Sequence, residues 1–206
     1  MPMRVAVALS GRGSNLEALL HALPPGGPVA VVLVLSNRPT AGGLDIARAH
    51  GITTHLLADP DDSSAWLGAL AAARADLVVL AGYLKLVPRG VIQRWRGRII
   101  NIHPGLLPAF GGPGMYGRRV HAAVLQAGAR ESGASVHLVD EVYDRGAVLA
   151  QQRVPVLPGD TPDSLAARVL AAEHRLLPAV VLAAADAGHP VPVPAAATSA
   201  AANLNS

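Results

Sequence analysis

An asparagine and a histidine stand two residues apart at the end of an apolar run, at Asn101 and His103. The run is typical of a β-strand, and side chains two residues apart in a strand point to the same face. An amide can hold a carbonyl oxygen or an oxyanion, and an imidazole can give or take a proton near neutral pH. The pair therefore predicts an acid–base site at the end of this strand. A hydrogen-bonded core histidine is the structural alternative.

A second signal is the turn SGRGSN at residues 10–15, which separates a predicted buried strand from a predicted helix. The free amides and the partial positive charge of a helix N-terminus suit an anion, so Gly13, Ser14 and Asn15 are predicted to cradle one phosphate. A dinucleotide fingerprint requires glycine where Leu16 stands, and no Walker-type lysine follows. Those two nucleotide classes are disfavoured, and an ordinary capped turn remains the alternative.

Acidic residues, among them Asp140 and Asp144, follow a predicted strand that contains His137. A carboxylate beside an imidazole stabilises its protonated form, so Asp144 could orient a catalytic histidine. A solvated turn would also explain these residues, and sequence distance alone cannot join Asp144 to His103. His137 could face the same cleft, whereas His121 is interpreted as a helix residue without a function.

Composition excludes several chemistries. The 206-residue chain contains no cysteine, which rules out disulfides, thiolate zinc sites, iron–sulfur clusters and a cysteine nucleophile. No His-x-x-x-His or Glu-x-x-His spacing occurs, so no metal is predicted. The pI of 9.9 comes from scattered arginines, with Lys85 the one lysine, and the net charge is only +3. This distribution forms no basic stripe and predicts no nucleic-acid partner.

Short β-branched runs alternate with helical patterns along the chain. Strands are predicted at 4–10, 29–35, 53–57, 77–80, 98–102, 135–139 and 148–154, and helices at 15–23, 44–50, 62–73, 118–127 and 160–185. This alternation predicts an α/β fold, a doubly wound and mostly parallel sheet with helices on both faces. The last two strands are expected to be antiparallel. Ligands of such sheets bind at the carboxyl ends of the strands, where the asparagine and histidine stand.

We expect one domain over residues 1–188 and a poorly ordered tail rich in proline and alanine over 189–206. The longest apolar stretch is strand-length, far short of the ~20 residues that a membrane helix needs. No targeting segment is apparent, so a cytoplasmic protein without a membrane partner is predicted.

Several motifs together resemble one family. They are SGRGSN at 10–15, SNR at 36–38, LAGYLK at 80–85, INIHPGLLP at 100–108, GASVH at 133–137 and DRG at 144–146. In order and spacing they resemble the folate-dependent formyltransferases that act on glycinamide ribonucleotide, over about residues 4–180. The resemblance implies a Rossmann-like fold and transfer of a formyl group from 10-formyltetrahydrofolate, as cosubstrate, to the amine of 5-phosphoribosylglycinamide in purine synthesis. It requires no metal, and it leaves a homodimer open.

The resemblance also implies roles for particular residues. Its catalytic group is Asn101, His103 and Asp144. Its substrate-binding residues are Gly13, Ser14, Asn15, Pro104 and Glu173. Its folate-binding residues are Leu84, Lys85, Leu86, Val87, Asn101 and Asp140.

Other functions compete with this one. A formyltetrahydrofolate deformylase would use water in place of the amine and would carry an N-terminal regulatory domain, and a methionyl-tRNA formyltransferase would carry a further C-terminal domain. A non-catalytic phosphosugar-binding module would keep the glycine turn and have no use for Asn101, His103 and Asp144 together. A dehydrogenase is disfavoured by Leu16.

Overall fold

The computed structural model of the protein describes residues 1–194. Its elements are β1 (Met3–Leu9), α1 (Ser14–Ala22), β2 (Val29–Ser36), α2 (Gly42–Ala49), β3 (Thr53–Leu56), α3 (Ser63–Ala72), β4 (Leu77–Leu80), α4 (Arg89–Arg94), β5 (Ile99–His103), α5 (Arg118–Gln126), β6 (Glu131–Leu138), β7 (Val148–Pro155) and α6 (Pro162–Ala187). Most of the predicted tail, from residue 195 onward, lies outside the described residues. Just before it, the backbone N–H of Val193 donates to the carbonyl of Leu149 at 2.8 Å.

The seven strands form one sheet in the order β3-β2-β1-β4-β5-β6-β7. The first five strands are parallel, and β6 and β7 extend the sheet as antiparallel strands. The prediction of a mostly parallel, doubly wound sheet is therefore confirmed, as is the antiparallel pair. The chain runs outward from β1 in one direction and from β4 in the other, which makes β1 and β4 the point where ligands of such folds bind.

Alternating residues of the central strands feed two separate cores. Val5 and Val7 of β1 face one core with α1, α2, α5 and α6, whereas Ala6 and Ala8 face the other with α3 and α4. Strands covered on both faces must be apolar at every position, which explains the continuous runs in the sequence. Both faces of the sheet carry helices, as predicted.

Two features of the elements differ from the expectation. The six-residue helix α4 was not predicted, although it buries Val91 and Ile92 against the second core. Strand β6 begins at Glu131, four residues before the predicted start, because its polar and small first residues pair with β7 up to Pro155. Neither feature has a hydrophobic period of its own.

Candidate active site

A cleft of about 560 Å³ opens at the carboxyl ends of β1, β4 and β5. Most of the predicted site residues line it: Asn15, Leu84, Lys85, Leu86, Val87, Asn101, His103, Pro104, Asp140, Asp144 and Glu173. From the glycine turn, the cleft wall contains Gly11, Arg12 and Asn15; Gly13 and Ser14, the N-cap and the first residue of α1, are not among its lining residues. The fold therefore gathers residues that are distant in sequence.

Strand register brings Asn101 opposite His137. The two residues are direct partners in the antiparallel β5–β6 pair, and Nδ2 of Asn101 lies 3.0 Å from Nε2 of His137. Nδ1 of His137 lies 2.8 Å from the carbonyl of Leu138, which can only accept a hydrogen bond. Nδ1 of His137 therefore carries a proton, and its Nε2 faces both the Asn101 amide and, at 3.4 Å, Oδ1 of Asp144.

Asp144 lies between two buried histidines. Its Oδ2 is 3.6 Å from Nδ1 of His103, and its Oδ1 is 3.4 Å from Nε2 of His137. Asp144 itself has φ of 54°, a left-handed conformation that is uncommon outside glycine but tolerated best by Asp and Asn. The β6–β7 turn thus delivers the carboxylate that sequence distance could not place.

Burial and the neighbouring groups have opposite effects on the pKa values of His103 and Asp144. Burial lowers the pKa of His103, and the raising effects of Asp144 and of the Phe110 carbonyl do not fully offset it. Burial alone would raise the pKa of Asp144, but hydrogen bonds from His137 and Gly112, together with the nearby histidines, hold it below its usual value. At neutral pH the carboxylate is therefore charged, and the lowered pKa of His103 favours its neutral imidazole.

His121 is a buried histidine of the cleft wall, at a position interpreted from the sequence only as a helix residue without a function. It lies on α5, is 3% exposed and lines the same cleft. Among the described residues its Nδ1 has no hydrogen-bond partner. Its pKa is lowered mainly by burial and to a smaller extent by the nearby His103. The available signal was helical spacing, since Gly117 lies one helical turn earlier and lines the cleft as well.

The glycine turn is shaped by contact between two helix starts. Gly13 has φ of 88°, and a Cβ there would meet the backbone of Gly43 at the start of α2. The amide of Gly43 also donates to the carbonyl of Gly11 at 3.2 Å. Because the N-cap residue Gly13 gives no side-chain cap, the first amides of α1 are left for another partner.

Glu173 closes the cleft from α6. It is 6% exposed, and its Oε2 accepts from Nδ2 of Asn15 at 2.7 Å. Burial raises the pKa of Glu173 to about 7, with the hydrogen bond from Asn15 opposing that rise. A side chain that is neutral or charged near neutral pH therefore stands beside the glycine turn and can both donate and accept hydrogen bonds.

The opposite end of the cleft is apolar and open. Leu84 and Leu86 are 41% and 43% exposed, and Val142 and Tyr143 lie exposed beside them. The hydroxyl of Ser10 accepts from the amide of Leu84 at 3.0 Å, which ties this loop to the end of β1. Exposed apolar side chains gathered in a groove are typical of a site for a flat organic ligand.

Residues 1–194 contain no group of three or more histidine and acidic side chains placed to hold a metal ion. Within the same range, no helix is long and apolar enough to cross a membrane.

The doubly wound sheet thus gathers an amide, an imidazole and a carboxylate in one cleft that residues of the glycine turn and an apolar groove also line. The chain belongs to the formyl transferase family, whose model matches residues 3–181. It is 45% identical over 186 residues to a chloroplastic phosphoribosylglycinamide formyltransferase of Arabidopsis thaliana, covering 86% of this chain and 64% of that protein. It is 38% identical to the phosphoribosylglycinamide formyltransferase of Escherichia coli, covering 89% and 88%.

Solved structures agree with this family. The phosphoribosylglycinamide formyltransferase of Anaplasma phagocytophilum superposes with a TM-score of 0.85 at 39% identity, covering 91% of this chain and 88% of that one. The enzyme of that name from Brucella melitensis has a TM-score of 0.80 at 45% identity, with coverage of 90% and 95%. The chain spans less than two thirds of the length of the plant relatives, 64% and 59%.

Proposed function

We propose that the protein transfers the formyl group of 10-formyltetrahydrofolate to the amine of 5-phosphoribosylglycinamide, as its relatives' names indicate. The observation that carries the proposal is that Asn101, His103 and Asp144 line one cleft together with residues of the glycine turn and of the apolar groove. A phosphosugar-binding module would need the turn alone. The group of three suits an acyl transfer, which needs a proton carrier and a donor for a developing oxyanion.

In this proposal, Asn101 and His103 act on the formyl carbon as the amine attacks it. Nδ2 of Asn101 can donate to the formyl oxygen as negative charge develops there. The lowered pKa of His103 leaves a neutral imidazole that can take the proton released by the amine. Asp144 then stabilises the imidazolium until the proton passes to the leaving folate nitrogen, so atoms balance without a covalent enzyme intermediate.

Binding of the two substrates is divided between the ends of the cleft. Amides at Gly13, Ser14 and Asn15 hold the phosphate, Glu173 holds the ribose or glycinamide, and the Pro104 carbonyl accepts from the amine. The groove formed by residues 84–87 and the segment at Asp140 hold the folate. Its exposed apolar side chains fit an aromatic heterocycle, which supports this assignment.

The same proposal includes the protein's surroundings. We also propose that the protein is cytoplasmic and that it binds small molecules and no nucleic acid. The family resemblance leaves a homodimer open. Scattered arginines support the absence of a nucleic-acid site.

The test follows release of tetrahydrofolate from 10-formyltetrahydrofolate, with and without phosphoribosylglycinamide. We expect release only when the amine is present, with one formylated product for each folate released. Dephosphorylated glycinamide riboside is the matched control substrate and should react with a much higher KM. Release that ignores the amine would make the protein a deformylase. Phosphosugar binding without any release would make it a binding module.

A further inference from the structure

Two backbone groups of one loop hold both members of the His103–Asp144 pair. The carbonyl of Phe110 accepts from Nε2 of His103 at 2.7 Å. Two residues later, the amide of Gly112 donates to Oδ2 of Asp144 at 2.9 Å. This stretch, residues 110–112, carries no side chain that the sequence analysis selected, and it contacts the pair through its backbone.

The two contacts have complementary chemistry. A carbonyl only accepts, so the neutral His103 ring carries its proton on Nε2, and Nδ1 faces Oδ2 of Asp144 at 3.6 Å. Both acceptors can be satisfied at once only by the imidazolium, which donates from both nitrogens. The Gly112 amide keeps Asp144 charged, so the loop favours the ring's charged form from two sides.

Two glycines leave the space that this loop occupies. A Cβ at Gly105 would lie 3.1 Å from Nε2 of His103, 3.2 Å from the carbonyl oxygen of Phe110 and 2.9 Å from Cγ1 of Val120. A Cβ at Gly111 would lie 2.9 Å from Cβ of Asp144. Neither glycine has a positive φ, so both positions require space and not an unusual backbone conformation.

We propose that residues 110–112 are a positioning segment for the His103–Asp144 pair, and that Gly105 and Gly111 are present to let that segment reach it. The segment fixes which nitrogen of His103 carries the proton and holds Asp144 against the ring. Its effect on catalysis rests on the proposed function, whereas its effect on His103 does not.

Other titratable groups also face His103. Asp144 is the carboxylate that faces His103, and His137 lies beside the other oxygen of that carboxylate. His121 lies near His103 from α5. The effect of the Phe110 carbonyl must therefore be separated from theirs. Phe110 offers a direct way to do so, because it is the only phenylalanine in the chain.

The first experiment uses the unmodified sequence with ¹³C at the phenylalanine carbonyl, which gives a single carbonyl NMR signal. We expect that signal to move with pH along the same curve as the ¹⁵N signals of His103, and Nε2 to carry the proton in the neutral ring. In His103→Gln the Phe110 signal should no longer follow that curve. The proposal is overturned if the Phe110 carbonyl signal does not change with pH, or if the neutral His103 ring carries its proton on Nδ1.

The second experiment is Gly105→Ala. Its methyl group pushes the Phe110 carbonyl away by a few tenths of an ångström, so the pKa of His103 should fall, because a hydrogen bond that favours the charged ring weakens. Since a misplacement of about 1 Å can cost about 100-fold, we expect kcat to fall about 10-fold while the KM for the phosphorylated amine changes less than about 2-fold.

Two controls separate positioning from simple crowding. Gly105→Ala combined with Val120→Ala removes the contact with the Val120 side chain but keeps those with His103 and Phe110, so the shift in His103 should persist. Gly68→Ala adds a methyl group in open space on α3 and should leave His103 unchanged. If the Val120 change restores both the pKa and kcat, the effect is crowding and the proposal fails. A His103 shift in a protein without formyl transfer would overturn the proposed function and leave the positioning segment intact.

Discussion

At the scale of single residues, Asp144 connects the groups of the candidate site. Its two oxygens face His103 and His137, and the Gly112 amide holds one of them. Asn101 joins the same group through His137, although the two strands that carry them are far apart in sequence. A change at any of these side chains is therefore expected to be felt by the others.

Asp144→Asn tests the electrostatic part of this group. Removing the negative charge lowers the pKa of His103, because that charge raises it in the native protein. We expect the limb of the pH–rate profile that reports His103 to move to lower pH, and kcat to fall. Asp45→Asn removes an exposed carboxylate paired with Arg48 and serves as the control. An unshifted profile in Asp144→Asn would remove Asp144 from the mechanism.

His103→Ala tests the proton carrier itself. Loss of a general acid–base group typically costs about 100-fold or more, so we expect kcat to fall by at least that factor. Binding of the phosphorylated substrate, measured by calorimetry, should be nearly unchanged because the proposed phosphate contacts come from the glycine turn and not from His103. Normal turnover in this variant would contradict the assigned role.

Glu173→Gln tests a buried acid through stability. The pKa of about 7 exceeds the ordinary 4.5, so the folded state holds the proton more tightly than the unfolded state. The free energy of unfolding contributed by this proton is at its full value below pH 4.5. It decreases as the pH rises and is lost above the folded-state pKa of about 7. Glutamine stays neutral, so by pH 8 the variant should gain about 3 kcal/mol relative to the parent, compared with their difference at pH 4.

Urea unfolding at pH 4, 6 and 8 provides the measurement, with Glu131→Gln at the exposed start of β6 as the control. A parent and a Glu173→Gln variant whose stabilities keep the same difference at all three values would show that Glu173 is not held neutral.

The sequence carried only part of the site at this scale. The spacing of Asn101 and His103 on one strand predicted a shared face, which the cleft contains. His121 was not selected, because the only signal for it was its helical spacing from Gly117, and a helix residue gains a place in the cleft only through the fold. The Phe110 carbonyl was invisible in principle, since every residue has a carbonyl and only the fold decides which one meets an imidazole.

At the scale of elements, the contact between the starts of α1 and α2 shapes the glycine turn. Two glycines meet there, Gly13 and Gly43, and the side chain of Leu9 packs against the second. The sequence predicted the turn from glycine and helix signals. It could not predict the contact, because α2 begins about thirty residues later in the sequence and is brought beside α1 by the pairing of strands in the sheet.

Gly13→Ala tests this contact. The left-handed backbone costs a residue with a side chain about 1–2 kcal/mol, and the new methyl group displaces α2 from α1. We expect lower stability and a KM for the phosphorylated amine raised at least about 10-fold. Gly51→Ala is the matched control, since Gly51 has φ of 68° and open space around it. It should lose similar stability without a change in KM; an equal rise in KM in both variants would contradict the assignment.

Elements with a clear hydrophobic period were predicted within a few residues. A very short helix and a strand start that depends on its partner strand were not. The capping box at Thr161 and Ser164 fixed the start of α6 as the proline after it suggested. Helix α4 has only six residues, and the first residues of β6 are held by β7 rather than by their own apolarity. Tertiary context decided both.

At the scale of the whole molecule, the sheet joins two cores into one unit. Each central strand contributes side chains to both cores, so loss of the sheet would disrupt both. We therefore propose that residues 1–188 unfold as a single domain, consistent with the family match over 3–181.

Leu176→Ala tests this unity. Leu176 is fully buried in the α6 core, and its truncation should cost about 2–5 kcal/mol. Both tryptophans, Trp66 and Trp95, lie in the opposite core. Tryptophan fluorescence and far-ultraviolet circular dichroism should therefore report the same loss at the same urea midpoint. A fluorescence transition that keeps the parent midpoint would divide the chain into two units.

The distribution of the site along the chain has a consequence during translation. Asp144 precedes Glu173 by 29 residues, and synthesis at roughly 5–20 residues per second separates them by a few seconds. Helix α6 also packs on α1, α5, β6 and β7, which come before it. A nascent chain on the ribosome therefore carries Asn101, His103 and Asp144 before the cleft wall that contains Glu173 is made, and it gains the complete cleft only when the last helix emerges.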